Sequence, residues 1–307
     1  MLLENVKGLV GHDKGKTLDT IIKTLNDIGY RVYFEVLNSK FFGVPQNRER
    51  IFIVAVREDL VDNEAWTNVK GATVVPKGKR RISGYTGEDA WELKTFNFDF
   101  PANDKVTTRL RDILESNVDE KYYLDEDKTA KLIAQLDDRE SKDTPEMDML
   151  GHIDIRGNDS IKRVYSTDGI GNALTTMGGG HREPKIAEEQ GLPIREATKK
   201  GYTIAEEGDS VNVQFPDSKT RRGRVGKQIA NTLEASSINQ GVVESPPKYR
   251  IRKLTPLECW RLQGFTDEAH ETVKQAGLSD SQRYKQAGNA VTVNVIGAIG
   301  ERLVKYL

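Results

Sequence analysis

Cysteine is nearly absent from this 307-residue chain: Cys259 is the only one, which excludes an internal disulfide framework and any multi-cysteine zinc site and points to a reducing compartment. The four histidines, His12, His152, His181 and His270, are scattered without metal-ligand spacing, so no metal is expected. Long apolar runs are missing too. The stretch over residues 51–56 (IFIVAV) is far short of the roughly 20 residues that span a bilayer. No basic-then-apolar leader opens the chain, and no phosphate-cradling glycine loop occurs. A cytoplasmic protein without a membrane partner is expected. Charge of one sign is also lacking overall, since the formal net charge is -1, which argues against a uniformly basic nucleic-acid coat.

The charge that is present is uneven. Residues 219–227 (KTRRGRVGK) hold five cations and no acid, while 248–253 (KYRIRK) and 77–81 (KGKRR) hold four each. Any one such cluster taken alone reads as a solvated loop. Apolar residues Leu18, Ile21, Ile22, Leu25 and Ile28 recur at helical spacing up to Gly29, and strands are predicted over 30–37 and 50–56, the second apolar enough to be buried on both faces. From about Pro76 to Pro247 the texture changes to Gly, Asn, Ser, Thr and charge, with short strand-like pieces and one helix near 128–136. Within it, residues 170–176 (IGNALTT) recur as 229–235 (IANTLEA), read either as two similar strand-turn-strand units or as chance. After Pro247 helices return. Thr255-Pro-Leu-Glu258 carries the signature of a capping box, Ser279-Asp-Ser-Gln282 starts a further helix that Gly288 is expected to end, and residues 291–307 form an amphipathic closing helix. The fold class is therefore α/β, divided as residues 1–75, 76–247 and 248–307.

Four patterns stand in a telling order: Glu4-Asn5-Val6, then QNRER over 46–50, then RKLTPLECWRLQGF over 252–265, then YKQAGNAV over 284–291. Together they resemble motifs VI, VIII, IX and X of the DNA cytosine-5 methyltransferases, with a long variable segment where that family carries its target-recognition domain. The resemblance implies part of a class I S-adenosylmethionine-dependent methyltransferase (Rossmann-like) domain, 1–75 and 248–307, joined to a small, mainly β target-recognition domain, 76–247. It also implies S-adenosylmethionine as methyl donor, double-stranded DNA as partner, and a bacterial or phage-encoded enzyme of the restriction-modification type.

Cytosine C5 is a poor nucleophile until something adds at C6 and N3 gains a proton, which asks for a positioned carboxyl group and a base flipped out of the duplex. The resemblance puts Glu4 at N3, with Asn5 holding its loop. Arg50 would contact the flipped base at O2 and Arg48 would orient nearby groups, the two side chains lying two apart on one strand face. Gly288, Asn289 and Ala290 would contribute to the S-adenosylmethionine pocket. Arg221, Arg222 and Arg224 are the candidate DNA contacts. Cys259 follows Glu258 on an amphipathic helix and reads as a buried structural thiol rather than the family's Pro-Cys nucleophile.

Only three residues precede Glu4, so the family's glycine-rich cofactor loop, acidic ribose contact and nucleophile are not found. Three explanations stand open: a split enzyme whose partner polypeptide carries motifs I to IV, a truncated fragment, or a DNA-binding remnant without catalysis. In each the chain alone is expected to be inactive.

Overall fold

The computed structural model describes residues 1–86, 90–136, 147–176, 181–198, 202–206, 208–212, 220, 224–227, 240–243 and 248–306. A three-stranded sheet opens the chain: β1 (Leu2–Val6), then helix α1 (Lys16–Asp27), β2 (Tyr30–Asn38), the short β3 (Gln46–Asn47) and β4 (Glu49–Arg57), in the order β1-β4-β2. The central strand β4 is antiparallel to both neighbours, and residues 51–56 are all buried, as an apolar run with layers on both faces requires. Gly29 ends α1 with a φ of +85°, a left-handed turn that L side chains rarely adopt and that lets the chain reverse directly into β2. Among the described residues β1 pairs only with β4, and its far edge leaves Leu3 and Val6 exposed.

Helix α2 (Val74–Ser83) turns two cations of the 77–81 cluster, Lys79 and Arg81, into the protein and leaves Lys77 and Arg80 exposed. Arg81 pairs with Asp19 of α1 at 2.6 Å, and Lys79 is fully buried with its ammonium 3.6 Å from the Tyr33 ring centre and no hydrogen-bond acceptor. Gly78 lies where a Cβ would come within 2.9 Å of Val10, so α2 packs tightly on the layer below. This core takes in Trp66, Val75, Ile82, Phe96 and Phe98 together with Val295 and Ile299, and so runs past the division expected at residue 75.

Burial lowers the Lys79 pKa from 10.5 to about 8, with Glu35 opposing. Between those two values the unfolded chain holds a proton that the folded chain has lost, so stability rises with pH across that window. The rise is expected to reach about 3 kcal/mol, less whatever the ring contact returns to the cation. Urea unfolding at pH 7, 8, 9 and 10 should show it, and Lys79→Met should be flat over the same range. An identical pH profile for both proteins would show that Lys79 keeps its charge.

The second part is built of short pieces: α3 (Glu126–Leu136), β5 (Met149–His152), a one-turn α4 (Asp159–Lys162), β6 (Arg163–Ser166), β7 (Gly171–Asn172), β8 (Lys185–Gln190), β9 (Leu192–Arg195), β10 (Tyr202–Ala205), β11 (Ser210–Asn212), β12 (Val225–Gly226), β13 (Gln240–Val242) and β14 (Lys248–Lys253). Its largest sheet runs β14-β8-β6-β5, with α3 packed over β5 and β14. Of the repeated heptapeptide, the first copy includes β7 and the second lies outside the described residues.

Four helices close the chain: α5 (Pro256–Arg261), α6 (Asp267–Gln275), α7 (Asp280–Asn289) and α8 (Val293–Leu303). The expected capping box of Thr255 with Glu258 forms, and the helix expected to start at Ser279 carries one as well, Ser279 with Gln282. Helix α7 does not stop at Gly288 but continues through Asn289. No helix among the described residues is long and apolar enough to cross a membrane.

Candidate functional site

Register places the first candidate pair. On antiparallel β1 and β4, Glu4 faces Phe52 and Val6 faces Arg50, so Glu4 and Arg50 are diagonal neighbours on one face of the sheet. Arg50 Nε lies 3.1 Å from Glu4 Oε1, and both side chains are mostly buried. That oxygen is shut off from solvent yet accepts no well-aligned hydrogen bond, so it is balanced by charge alone. Asn5 is exposed and its Oδ1 accepts from the Val6 amide at 2.8 Å, which fixes the end of β1.

Arg48 lies near both Arg50 and Glu4. The chain breaks between β3 and β4 at this residue, and its side chain turns inward, 4% exposed, where Nη2 donates to the Ala290 carbonyl at 2.9 Å and Nη1 to the Leu174 carbonyl at 3.3 Å. Burial, reinforced by Arg50 and opposed by Glu4, lowers its pKa to about 10 and leaves it a cation at neutral pH.

Gln46, not singled out from the sequence, is fully buried beside it: Nε2 donates to the Leu262 carbonyl at 2.7 Å and Oε1 accepts from the Leu174 amide at 3.0 Å. β3 adds a parallel pairing with β7, Gln46 opposite Gly171. Behind these, Gln263 donates to the Ala287 carbonyl and accepts from Thr292, whose hydroxyl also meets Ser39. The second, third and fourth sequence patterns thus converge with the 170–176 segment at one buried polar junction. Gln46 and Gln263, one in each of the second and third patterns, were the available sequence signal for it.

Gly288 has a different task from the one expected. A Cβ there would lie 1.8 Å from the Thr175 carbonyl oxygen, so the glycine lets α7 touch the backbone of 175–176 rather than a ligand. Gly288→Ala is expected to cost about 1–3 kcal/mol, because backbone has to give way, and a thermal melt checks it. Asn289 is exposed and Ala290 half-buried, and they line a groove of about 530 Å³ with Leu278, Gln282, Lys285 and Gln286.

Several described cations of the basic clusters are spent inside the protein. Arg224 is buried, donating to the Asn212 and Arg195 carbonyls at 2.8 Å each, so its guanidinium holds β11 and β9 together and does not face a duplex. Arg221 and Arg222 lie outside the described residues. Lys227 pairs with Glu206 and Asp209. In β14, Arg250 pairs with Glu120 and stacks on Tyr123, while Arg252 is fully buried between Glu258 and Glu188. Burial works against the Arg252 cation, but its hydrogen bonds to those two carboxylates outweigh it and hold the charge in place.

Cys259 is completely buried in α5, and burial, aided by Glu258 and Glu183, pushes its thiol well up. A nucleophilic cysteine needs the opposite, a thiolate within reach of substrate. The site therefore has a balanced buried carboxylate, two guanidinium groups and a polar junction, and its one thiol is sealed away.

The sequence model of the C-5 cytosine-specific DNA methylases matches residues 1–305. The chain belongs to that family. It is 47% identical to the orphan methyltransferase M.SPBetaI of Bacillus phage SPbeta over 313 residues, covering 99% of this chain and 65% of that protein. It is 40% identical to the orphan methyltransferase M.SPRI of Bacillus phage SPR, covering 99% and 72%. It is 31% identical to the type II methyltransferase M.BanI of Aneurinibacillus aneurinilyticus, covering 98% and 70%. The chain thus spans just under two thirds of the length of the first of these relatives.

Proposed function

We propose that these 307 residues are the base-contacting and DNA-reading part of a DNA (cytosine-5-)-methyltransferase. The observation that carries this reading is the Glu4 carboxylate, buried on one oxygen, unsatisfied by hydrogen bonds and set diagonally against Arg50. An acid so placed is suited to hold the proton at cytosine N3, and Arg50 to donate to O2 of the same flipped base. Arg48 positions the backbone at Leu174 and Ala290 around them. Asn5 shapes the strand end that presents Glu4.

The methyl donor is S-adenosylmethionine, which supplies an electrophilic methyl group when bound. Asn289 and Ala290 offer an exposed amide and a small side chain on an open, one-sided groove, which suits the rim of such a pocket rather than its whole wall. The attacking thiolate comes from outside these residues, since Cys259 is inert. It is carried either by further sequence of the same polypeptide or by a partner bearing motifs I to IV. The open edge of β1, with Leu3 and Val6 exposed, is suited to receive that sequence.

Residues 1–75 and 248–307 make up the catalytic part in this reading, and 76–247 the target-recognition part, where Arg221 and Arg222 are DNA contacts. A DNA-binding remnant without catalysis is the second reading. Against it stands Glu4, because simple duplex binding needs no acid at a base ring nitrogen.

The test is methyl transfer from labelled S-adenosylmethionine to duplex DNA, by this chain alone and mixed with the motif I to IV polypeptide. Transfer only in the mixture is the expected result. Transfer by the chain alone would overturn the external nucleophile, and duplex binding without transfer in the mixture would leave the remnant.

A further inference from the structure

Two distant segments of the chain meet on one side chain, the fully buried carboxamide of Gln46. Its Nε2 donates at 2.7 Å to the carbonyl of Leu262, the C-cap residue of α5, where a helix end leaves carbonyls without partners of its own. Its Oε1 accepts at 3.0 Å from the Leu174 amide, and the Leu174 carbonyl is taken in turn by Arg48 Nη1 at 3.3 Å. Leu174 belongs to neither strand nor helix, so residues 46 and 48 give its backbone the partners that secondary structure would otherwise supply.

Gln46 also shapes the entry into β4. Its own carbonyl accepts from the Arg48 amide at 3.1 Å, across the break between β3 and β4. The neighbouring backbone continues the hold: the Gly171 amide donates to the Pro45 carbonyl at 2.9 Å, and Gln46 and Asn47 stand opposite Gly171 and Asn172. Arg50, the diagonal partner of Glu4, follows two residues after Arg48. The start of β4 is thereby located from α5 and from the 171–174 segment as well as from its own sheet.

A guanidinium that meets a base oxygen has to be held to within about 0.5 Å by the groups around it. We propose that Gln46 is a positioning residue for methyl transfer, setting Arg50 against the flipped base by tying the β3–β4 break to Leu174 and Leu262. This rests on the DNA-methylating function above and adds to it a residue that, being fully buried, touches neither base nor methyl donor.

Gln46→Met keeps the length of the side chain and removes both hydrogen bonds. With the nucleophile-bearing segment present and duplex saturating, its single-turnover rate per folded molecule is expected to fall about 10- to 100-fold while duplex affinity stays within about threefold. Added to Arg50→Ala, the same substitution should cost little more, because no guanidinium is left to place. Gln46→Glu supplies a third readout. A neutral carboxyl donates to Leu262 and accepts from Leu174 as the carboxamide does, whereas a carboxylate sets an acceptor against the Leu262 carbonyl, and burial favours the neutral form. The rate of Gln46→Glu relative to the unmodified protein at the same pH is therefore expected to climb as pH falls from about 8 to 6, with Gln46→Met low throughout. A lower melting temperature with an unchanged rate per folded molecule would make Gln46 a structural residue only and overturn the proposal. An undiminished loss on top of Arg50→Ala would overturn it as well. Absence of transfer by the unmodified protein with its nucleophile-bearing segment would instead remove the methylating function itself, and this inference with it.

Discussion

Glu4→Gln is expected to lower methyl transfer by about 10²- to 10⁴-fold, with stability and duplex affinity nearly unchanged. The amide keeps the shape of the side chain but can neither hold nor release a proton at cytosine N3. Glu4 Oε1 makes only a charge contact with Arg50 at 3.1 Å, so the substitution breaks no well-formed hydrogen bond of the fold. The measurement is the single-turnover rate with the nucleophile-bearing segment present, beside equilibrium binding of the same duplex. A rate within threefold of the unmodified protein would take the acid role away from Glu4. Binding lost together with the rate would make Glu4 a residue that holds Arg50 in place, not one that handles a proton.

Glu258→Ala is expected to destabilise the protein by about 3–5 kcal/mol, enough to unfold a marginal domain. Glu258 is fully buried and serves three partners: the Arg252 guanidinium at 2.8 and 2.9 Å, the Thr255 amide at the start of α5, and the Glu115 amide. Its removal strands a buried cation and strips a helix cap in one step. The paired replacement Arg252→Met with Glu258→Leu removes both charges, and urea unfolding should recover a large part of the loss despite the missing cap. A single variant less than 1 kcal/mol below the parent would show that Glu188 alone can neutralise Arg252.

The Arg252 to Glu258 pair also shows where sequence reading stops. Thr255, Pro256 and Glu258 announce a capped helix by local rules, and that helix forms as expected. That the same Glu258 also neutralises an arginine at the end of a sheet strand depends on β14 arriving against α5. Gly288 repeats the lesson. A glycine near a helix end reads as a stop, yet the helix runs through it, because the space its missing Cβ leaves is filled by the Thr175 carbonyl from more than a hundred residues away. Arg224 does so in reverse, since five cations without an acid look like a phosphate-binding surface until the strands they join turn one of them inward.

By itself the sequence determined the elements whose causes are local: α1 from its apolar spacing and Gly29, β4 from its unbroken apolar run, the helix starts at Thr255 and Ser279, and the family through four ordered patterns. It also determined that the chain's single thiol sits on an amphipathic helix and away from any reactive loop. Only the tertiary structure decided which of the charged residues are free. Arg48, Arg224 and Arg252 are struts, because a guanidinium's task depends on which carbonyls and carboxylates distant segments bring within about 3 Å, and no spacing along the chain encodes that.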